Sequence, residues 1–408
     1  EGHAAALMLR LLMEKGWDEK AVDAVREMCI FTNHTPLRTG MPTYSLSDME
    51  TAIGHSLPDK IRELAGHNGF NTNLFAANLS RYVNAVSRMH AQVLRQMPEF
   101  AGKSIEYITN GVHWRFISQR MQQLLDSHVN GNWRLYPERL LTAAISPDQI
   151  ETVHQADKKD LVDMANEHAG VLRSARLTHD VFLAGFARRF VPYKRAWLPL
   201  ADGGMLRQLP GDVQLVYAGK AHRNDGQGQG LLSHVLSTGL GLDHNLRFGF
   251  VPDYGIETAK LMIAGSDLWV VAAVPHEEAS GTSPMKAGFH GNKTLSTDGG
   301  FWPEVSGRHG ELGYTFGGTN EAEEIRNFYA QLGGKAMADF SSEKMKADRR
   351  GVLQEFLINF SAIRMAREYG WVYGFERERP GRSLEQLVAV SAWNRDLQSR
   401  PRTHSIRN

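Results

Sequence analysis

Leu268-Trp269-Val270-Val271-Ala272-Ala273-Val274 is an unbroken apolar run of strand length, and after Pro275-His276 it enters Glu277-Glu278-Ala279-Ser280-Gly281-Thr282-Ser283-Pro284-Met285-Lys286. A run without polar alternation suits a strand buried on both faces. The small residues Gly281, Thr282 and Ser283 suit a turn, and Pro284 suits the first turn of a helix. Working outward, β-branched runs at residues 181–185, 213–218 and 246–251 read as further strands. Residues 193–206, 231–238 and 256–265 read as the helices between them. Such alternation predicts an α/β fold whose parallel sheet is covered on both faces, with ligands held just beyond the carboxyl ends of the strands.

The first hundred residues have another texture. Apolar spacing of three and four predicts helices over 5–14, 19–28 and 79–96, interrupted by a polar loop over 32–47. Residues 341–368 read as helix, and the basic, aperiodic residues 399–408 read as a loose tail. No internal repeat or low-complexity tract is evident. With 408 residues and 42% hydrophobic content the chain can bury a large core and divide into two domains. Its 46 basic and 45 acidic residues leave +1, too little for the field that nucleic-acid binding demands, so any anion site must be local. One cysteine, Cys29, permits no intramolecular disulfide and fits a cytoplasmic compartment. No run approaches the roughly 18 apolar residues of a membrane span. The opening Glu1-Gly2-His3 lacks a basic signal region and reads as a start within a domain.

Three stretches could carry chemistry. After the strand at 181–185 comes Gly185-Phe186-Ala187-Arg188-Arg189-Phe190-Val191-Pro192-Tyr193-Lys194-Arg195, with four cations and no carboxylate nearby in sequence. Two arginines and a lysine can hold a phosphate dianion through charge-assisted bonds, although a solvated helix start has the same composition. Around Gly281–Ser283, backbone N–H groups at a helix start would attract a second anion. Lys286 would emerge one turn later, able to react with a carbonyl if desolvated, or else sit as a surface lysine on an ordinary capped helix. The glycines of Asp225-Gly226-Gln227-Gly228-Gln229-Gly230 do not have the G-x-G-x-x-G spacing, so nicotinamide binding is disfavoured and a flexible loop is expected. The 17 histidines form no metal-ligand spacing, and no metal is expected.

Taken jointly, these motifs resemble the α-glucan phosphorylases, the glycogen, starch and maltodextrin phosphorylase family, and within it the shorter bacterial-type members. The likeness runs from Glu1-Gly2-His3 through Thr32-Asn33-His34-Thr35-Pro36, Val83-Asn84-Ala85-Val86-Ser87-Arg88-Met89-His90 and Thr109-Asn110-Gly111-Val112-His113. It continues through residues 185–195, Ala218-Gly219-Lys220-Ala221-His222, Asp253-Tyr254 and Glu278-Ala279-Ser280-Gly281-Thr282 with Met285-Lys286, as far as about Tyr373. The resemblance implies a GT-B architecture, two Rossmann-like domains with parallel sheets, the first present only as its C-terminal part. Residues 1–84 would close that domain, 85–370 would form the second with the cofactor lysine, and 371–408 would be a returning helix and loose basic tail.

The resemblance also implies phosphorolysis of terminal 1,4-α-glucosyl units by inorganic phosphate to α-D-glucose 1-phosphate with retention, using pyridoxal 5'-phosphate. Lys286 matches the lysine joined to that cofactor. Arg189 and Lys194 match ligands of the substrate phosphate, and Arg188 a basic position beside the cofactor phosphate. Gly281, Thr282 and Ser283 match the turn approaching both phosphates, and Tyr254 an aromatic beside the cofactor. His34, Asn84, Glu278 and Ser280, together with Gly281, match the side of the site that meets the sugar, and His3 a cleft-lining histidine. The implied partners are an α-1,4-glucan, inorganic phosphate and a possible second copy in a homodimer, with no nucleic acid and no membrane. The sequence departs from the family at Pro284, which has no N–H to offer, at Arg38 and Met41-Pro42, and at Thr297-Asp298-Gly299-Gly300-Phe301-Trp302. The alternatives are a nucleotide-sugar-dependent GT-B glycosyltransferase, which should need no pyridoxal, and an inactive glucan- or phosphate-binding fragment.

Overall fold

The computed structural model describes residues 1–375 except residues 130, 169, 244 and 307–310. The strands among them are β1 (Ile30–Thr32), β2 (Thr43–Tyr44), β3 (Phe70–Asn71), β4 (Tyr82–Ala85), β5 (Ile105–Tyr107), β6 (Leu172–Arg173), β7 (Phe182–Ala187), β8 (Val213–Ala218), β9 (Leu246–Val251), β10 (Leu268–Val271), β11 (Lys293–Thr297) and β12 (Gly313–Phe316). A small parallel sheet has the order β1-β4-β5, with Phe31 beside Val83 and Val83 beside Ile105. The large sheet has the order β12-β11-β10-β7-β8-β9-β6 and is parallel apart from β6, which runs antiparallel along β9. β2 and β3 form a separate antiparallel pair.

Every residue of β7 and β8 is buried, as apolar runs without alternation require when helices cover both faces. Gln214, the polar member of β8, is fully buried and exchanges bonds with the Thr178 backbone, accepting from its N–H at 2.6 Å and donating to its carbonyl at 2.7 Å. One face of the large sheet packs Phe186, Tyr217 and Phe248, and the other packs Leu183, Val216 and Trp269. Each such side chain removed from water contributes about 1.5–3 kcal/mol.

Six helices position the site: α1 (Gln119–Val129), α2 (Pro147–Glu167), α3 (Ile256–Gly265), α4 (Ser283–Gly288), α5 (Lys344–Asn359) and α6 (Ala362–Val372). α2 starts on a capping box in which Ser146 and Gln149 satisfy each other's backbone N–H, with Pro147 in the first turn. α2 is held to the sheet by a buried charge cluster. Asp267 accepts from His154 at 2.9 Å, from Lys158 at 2.6 Å and from the Leu183 N–H at 2.8 Å, all three side chains being fully enclosed. α6 leaves the large sheet and returns to the small one, where the Tyr369 hydroxyl accepts from Asn84 at 3.1 Å and Arg81 donates to the Val372 carbonyl. No helix among the described residues is long and apolar enough to cross a membrane.

Several elements differ from the expectation. Residues 79–96 are not one helix: Tyr82–Ala85 is the central strand of the small sheet, and a helix starts only at Arg88 after Ser87 caps the His90 N–H. Pairing on both sides overrides a local spacing that four residues cannot distinguish from strand. Residues 193–206 are two single 3-10 turns and a short helix, Gly203–Arg207, because Pro199 and Gly203-Gly204 interrupt any longer one. The expected loop glycines Gly226, Gly228 and Gly230 lie in a helix, Gly226–Leu240, capped by Asp225 on the Gly228 N–H. The expected strand 268–274 ends at Val271. The expected helix 341–368 is broken at Phe360 and Ser361, where the crossing Val112 donates to the Phe360 carbonyl and accepts from the Ala362 N–H. The small sheet also continues past residue 84 to Tyr107, and the helix returning to it begins at Ala362 rather than at 371. The expected tail, 399–408, lies outside the described residues.

Candidate functional site

β7 ends at Ala187, so Arg188 and Arg189 stand at the carboxyl edge of the large sheet. The loop after the neighbouring strand β8 approaches this point very closely. At Gly219, φ is +149° and an added Cβ would lie 2.0 Å from the Arg188 carbonyl oxygen, so glycine is what lets the two loops meet. After β10, the chain makes a 3-10 turn, Pro275–Glu277, and then reverses at Gly281 with φ +74° before α4 begins. The far side of α4, Met285 with Phe289 beyond its end, is buried in an apolar cluster with Phe356 of α5, which leaves Lys286 on the side facing the sheet edge. From the small sheet, the segments after β1 and β5 bring His34, Thr35 and Asn110 to the opposite wall.

These walls bound a cavity of about 590 Å³ lined by residues of the four segments that follow β1, β5, β7 and β10, together with Glu1, Val86 and Tyr254. Arg188, Arg189, Lys194 and Lys286 line it together with Glu277 and Glu278. Glu278 accepts from Arg188 at 2.7 Å and also from Lys194, and Arg188 donates a second bond to Ser283 Oγ at 3.1 Å. Burial alone would raise the Glu278 carboxyl, but the charges of Arg188 and Lys194 outweigh it and hold it below the usual range. Burial, helped by Arg188, brings Lys194 down to about 8. Burial and then Arg188 also lower Lys286, whose ammonium nitrogen lies 3.9 Å from the centre of the Phe116 ring. Lowering favours the neutral amine, the form of a lysine that attacks a carbonyl. Two polar atoms here are buried with no hydrogen-bond partner among the described residues, Arg188 Nε and Ser280 Oγ. A buried donor without a partner costs about 1–3 kcal/mol, which a bound oxygen ligand would recover.

The structure brings Lys286, Arg188, Arg189, Lys194, Tyr254, Gly281, Thr282, Ser283, Glu278, Ser280 and His34 to this one cavity. Arg189 and His34 are exposed at its rim. Two expected residues lie elsewhere. Asn84 is fully buried in β4, bonded to Thr32, the Ala85 carbonyl and Tyr369, so it joins the small sheet to α6 and does not line this cavity. His3 is exposed and does not line the cavity, where Glu1 stands instead. The helix expected to attract an anion is only six residues long and Pro284 occupies its second position, so its dipole and free N–H groups are a minor contribution beside the cations.

Asn110 and Phe116 were missed. Asn110 sits in the quoted Thr-Asn-Gly-Val-His run, and the signal that could have found it was Gly111, where a Cβ would lie 2.5 Å from the Ser361 carbonyl and which fixes how that loop enters the cleft. Phe116 carried no signal, since its contact with Lys286 spans 170 residues of chain.

Residues 230–357 match the family model described as carbohydrate phosphorylase. The chain is 32% identical over 356 residues to the glycogen phosphorylase of Aquifex aeolicus, covering 78% of this chain and 51% of that protein. It is 28% identical over 413 residues to the maltodextrin phosphorylase of Thermococcus litoralis, covering 90% of this chain and 49% of that protein. It is 29% identical over 360 residues to the glycogen phosphorylase of Mycobacterium bovis, covering 74% and 41%. The chain thus spans about half the length, or less, of these curated relatives.

Proposed function

Since the chain belongs to the α-glucan phosphorylase family, we propose that it carries the phosphate- and cofactor-binding part of an enzyme that transfers terminal glucosyl units of a 1,4-α-glucan to inorganic phosphate, giving α-glucose 1-phosphate with retention. The observation that carries this reading is the convergence of Arg188, Arg189, Lys194 and Lys286 on one cavity that also holds the unpartnered Arg188 Nε and Ser280 Oγ. In the corresponding architecture, GT-B, the small sheet and α6 belong to one domain and the large sheet to the other, and the cavity is the cleft between them. The relatives' names favour a phosphorylase over a nucleotide-sugar transferase.

The residues present fit pyridoxal 5'-phosphate. Lys286 would hold its aldehyde carbon, Arg188 with Gly281, Thr282 and Ser283 its phosphate, and Tyr254 would flank its ring. When bound, the group supplies a phosphate that can give and take a proton, so that no pair of flanking protein carboxylates is needed. Arg189 and Lys194 hold the second phosphate, and packing two such anions together requires the cations found here. His34, Asn110 and Ser280 orient the sugar being transferred, and the substrate phosphate stabilises the developing oxocarbenium ion.

Glu278 has two tasks in this scheme. Its carboxylate already engages Arg188 and Lys194, so an incoming phosphate displaces it from the cations and frees it for the sugar hydroxyls. Glu278→Gln is therefore expected to tighten inorganic phosphate binding on the order of tenfold, the equivalent of one charge-assisted bond. Isothermal titration checks this, and weaker phosphate binding in the variant contradicts the displacement. Lys194→Ala should weaken phosphate by about 10–100-fold and maltodextrin much less. Equal losses would remove the proposed role of Lys194.

The reading as a whole is tested by incubating the chain with pyridoxal 5'-phosphate, reducing with borohydride and mapping the modified peptide by mass spectrometry. A pyridoxyl group on Lys286 supports it. Modification elsewhere, or none, opposes it. Release of glucose 1-phosphate from maltodextrin and phosphate by protein containing this chain is the second measurement.

A further inference from the structure

His290 stands one turn after Lys286 and is 1% exposed. Its Nδ1 lies 2.9 Å from the Lys286 carbonyl oxygen, and its Nε2 lies 2.9 Å from the Ser118 backbone nitrogen. A carbonyl can only accept and an amide N–H can only donate, so these partners permit one tautomer, with the proton on Nδ1 and a lone pair on Nε2. Burial favours that neutral ring, against the opposing influence of the Lys286 carbonyl and Asp157.

The two partners flank the same amine. The Lys286 carbonyl belongs to the backbone from which the lysine side chain departs. Ser118 lies two residues beyond Phe116, over whose ring the Lys286 ammonium sits, and Ser118 Oγ anchors the first turn of α1 by accepting from Met121 N–H at 3.2 Å. One imidazole therefore joins the helix that carries the lysine to the segment that carries the ring beneath it. Aliphatic packing could fill the same space, but it could not set both distances.

We propose that His290 is a positioning residue for Lys286, clamping α4 to the Phe116–Ser118 segment so that the amine is held over the ring and presented to an aldehyde. This rests on the reading of Lys286 as the residue that takes pyridoxal 5'-phosphate. His290→Leu removes both bonds. His290→Asn keeps a donor near the Lys286 carbonyl, and His290→Gln keeps an acceptor for Ser118, so each should recover part of the effect.

Two readouts on the chain without cofactor test the proposal. The first is the pH dependence of trace acetylation at Lys286, followed by mass spectrometry with the exposed Lys20 as internal standard. The second is the rate of borohydride-trapped incorporation of pyridoxal 5'-phosphate. In His290→Leu the Lys286 titration should move up toward the ordinary lysine range and incorporation should slow on the order of tenfold, as expected when a reacting group is misplaced. His290→Asn and His290→Gln should fall between. A folded His290→Leu protein with both readouts unchanged overturns the proposal, and if that variant does not fold, unchanged readouts in both amide variants overturn it equally. Should wild-type Lys286 take no pyridoxal group, the reading of Lys286 fails, while the acetylation profiles still decide whether His290 positions it.

Discussion

Lys286→Ala is expected to abolish incorporation of pyridoxal 5'-phosphate at this site and to lower phosphorolysis by roughly 10²–10⁴-fold in protein containing the chain, the range lost with a positioned proton-transfer group. The expectation follows from three features. The amine lines the cavity, burial and then Arg188 lower it from the ordinary lysine range, and its helix is wedged against α5. At Gly288 on α4 an added Cβ would lie 2.1 Å from the Phe356 ring, so the helix has no room to shift and offer another residue. Borohydride trapping followed by peptide mapping separates the outcomes. If the variant takes up the group with wild-type stoichiometry, Lys286 is not its attachment point.

A second large effect is expected far from the cavity. Asp267→Ala should destabilise the fold by about 3–5 kcal/mol, because it leaves Lys158 charged and unpaired in the interior and removes the acceptor for the Leu183 N–H. Lost packing is a small part of this, since the side chain removed is short. Burial by itself would raise the Asp267 carboxyl, but Lys158 and His154 overcome it and hold it down to about 2. An acid depressed in the folded state contributes stability above its unfolded value, near 4, and loses it as pH falls toward 2. The contribution is about 2 kcal/mol and disappears within that window. Urea unfolding at pH 7 and at pH 3 checks both statements. A variant as stable as the wild type at pH 7, or a wild type whose stability does not fall on acidification, would show that the cluster is energetically neutral.

Both predictions depend on features that differ in how far the chain itself announces them. The strands β7, β8 and β9 could be read from six-residue runs interrupted by at most one polar residue, Gln214 in β8 and Arg247 in β9, because a strand covered on both faces has no polar alternation to confuse it. β4 could not be read this way. Its four residues, Tyr82 to Ala85, fit a helical spacing equally well, and their state is decided by β1 and β5 on either side, which come from segments more than twenty residues away in one direction and fifty in the other. Asn84 shows the consequence for function. Its surroundings in sequence resemble a substrate contact, yet pairing places it inside the small sheet against Tyr369, and Asn110, one loop further on, reaches the cavity.

The chain by itself determined the α/β class, the cation cluster at 188–195 and the small-residue turn before Lys286, since each depends on composition and spacing within some twenty residues. Only the tertiary structure decided that Glu278 is the resident partner of Arg188 and Lys194, that Phe116 lies beneath Lys286, and that His290 ties the two segments together. Those relations are distances between residues 84 to 172 positions apart. Such distances are set by the order of strands in the large sheet and by how closely Gly219 and Gly288 allow their neighbours to approach, and neither is written in the local pattern.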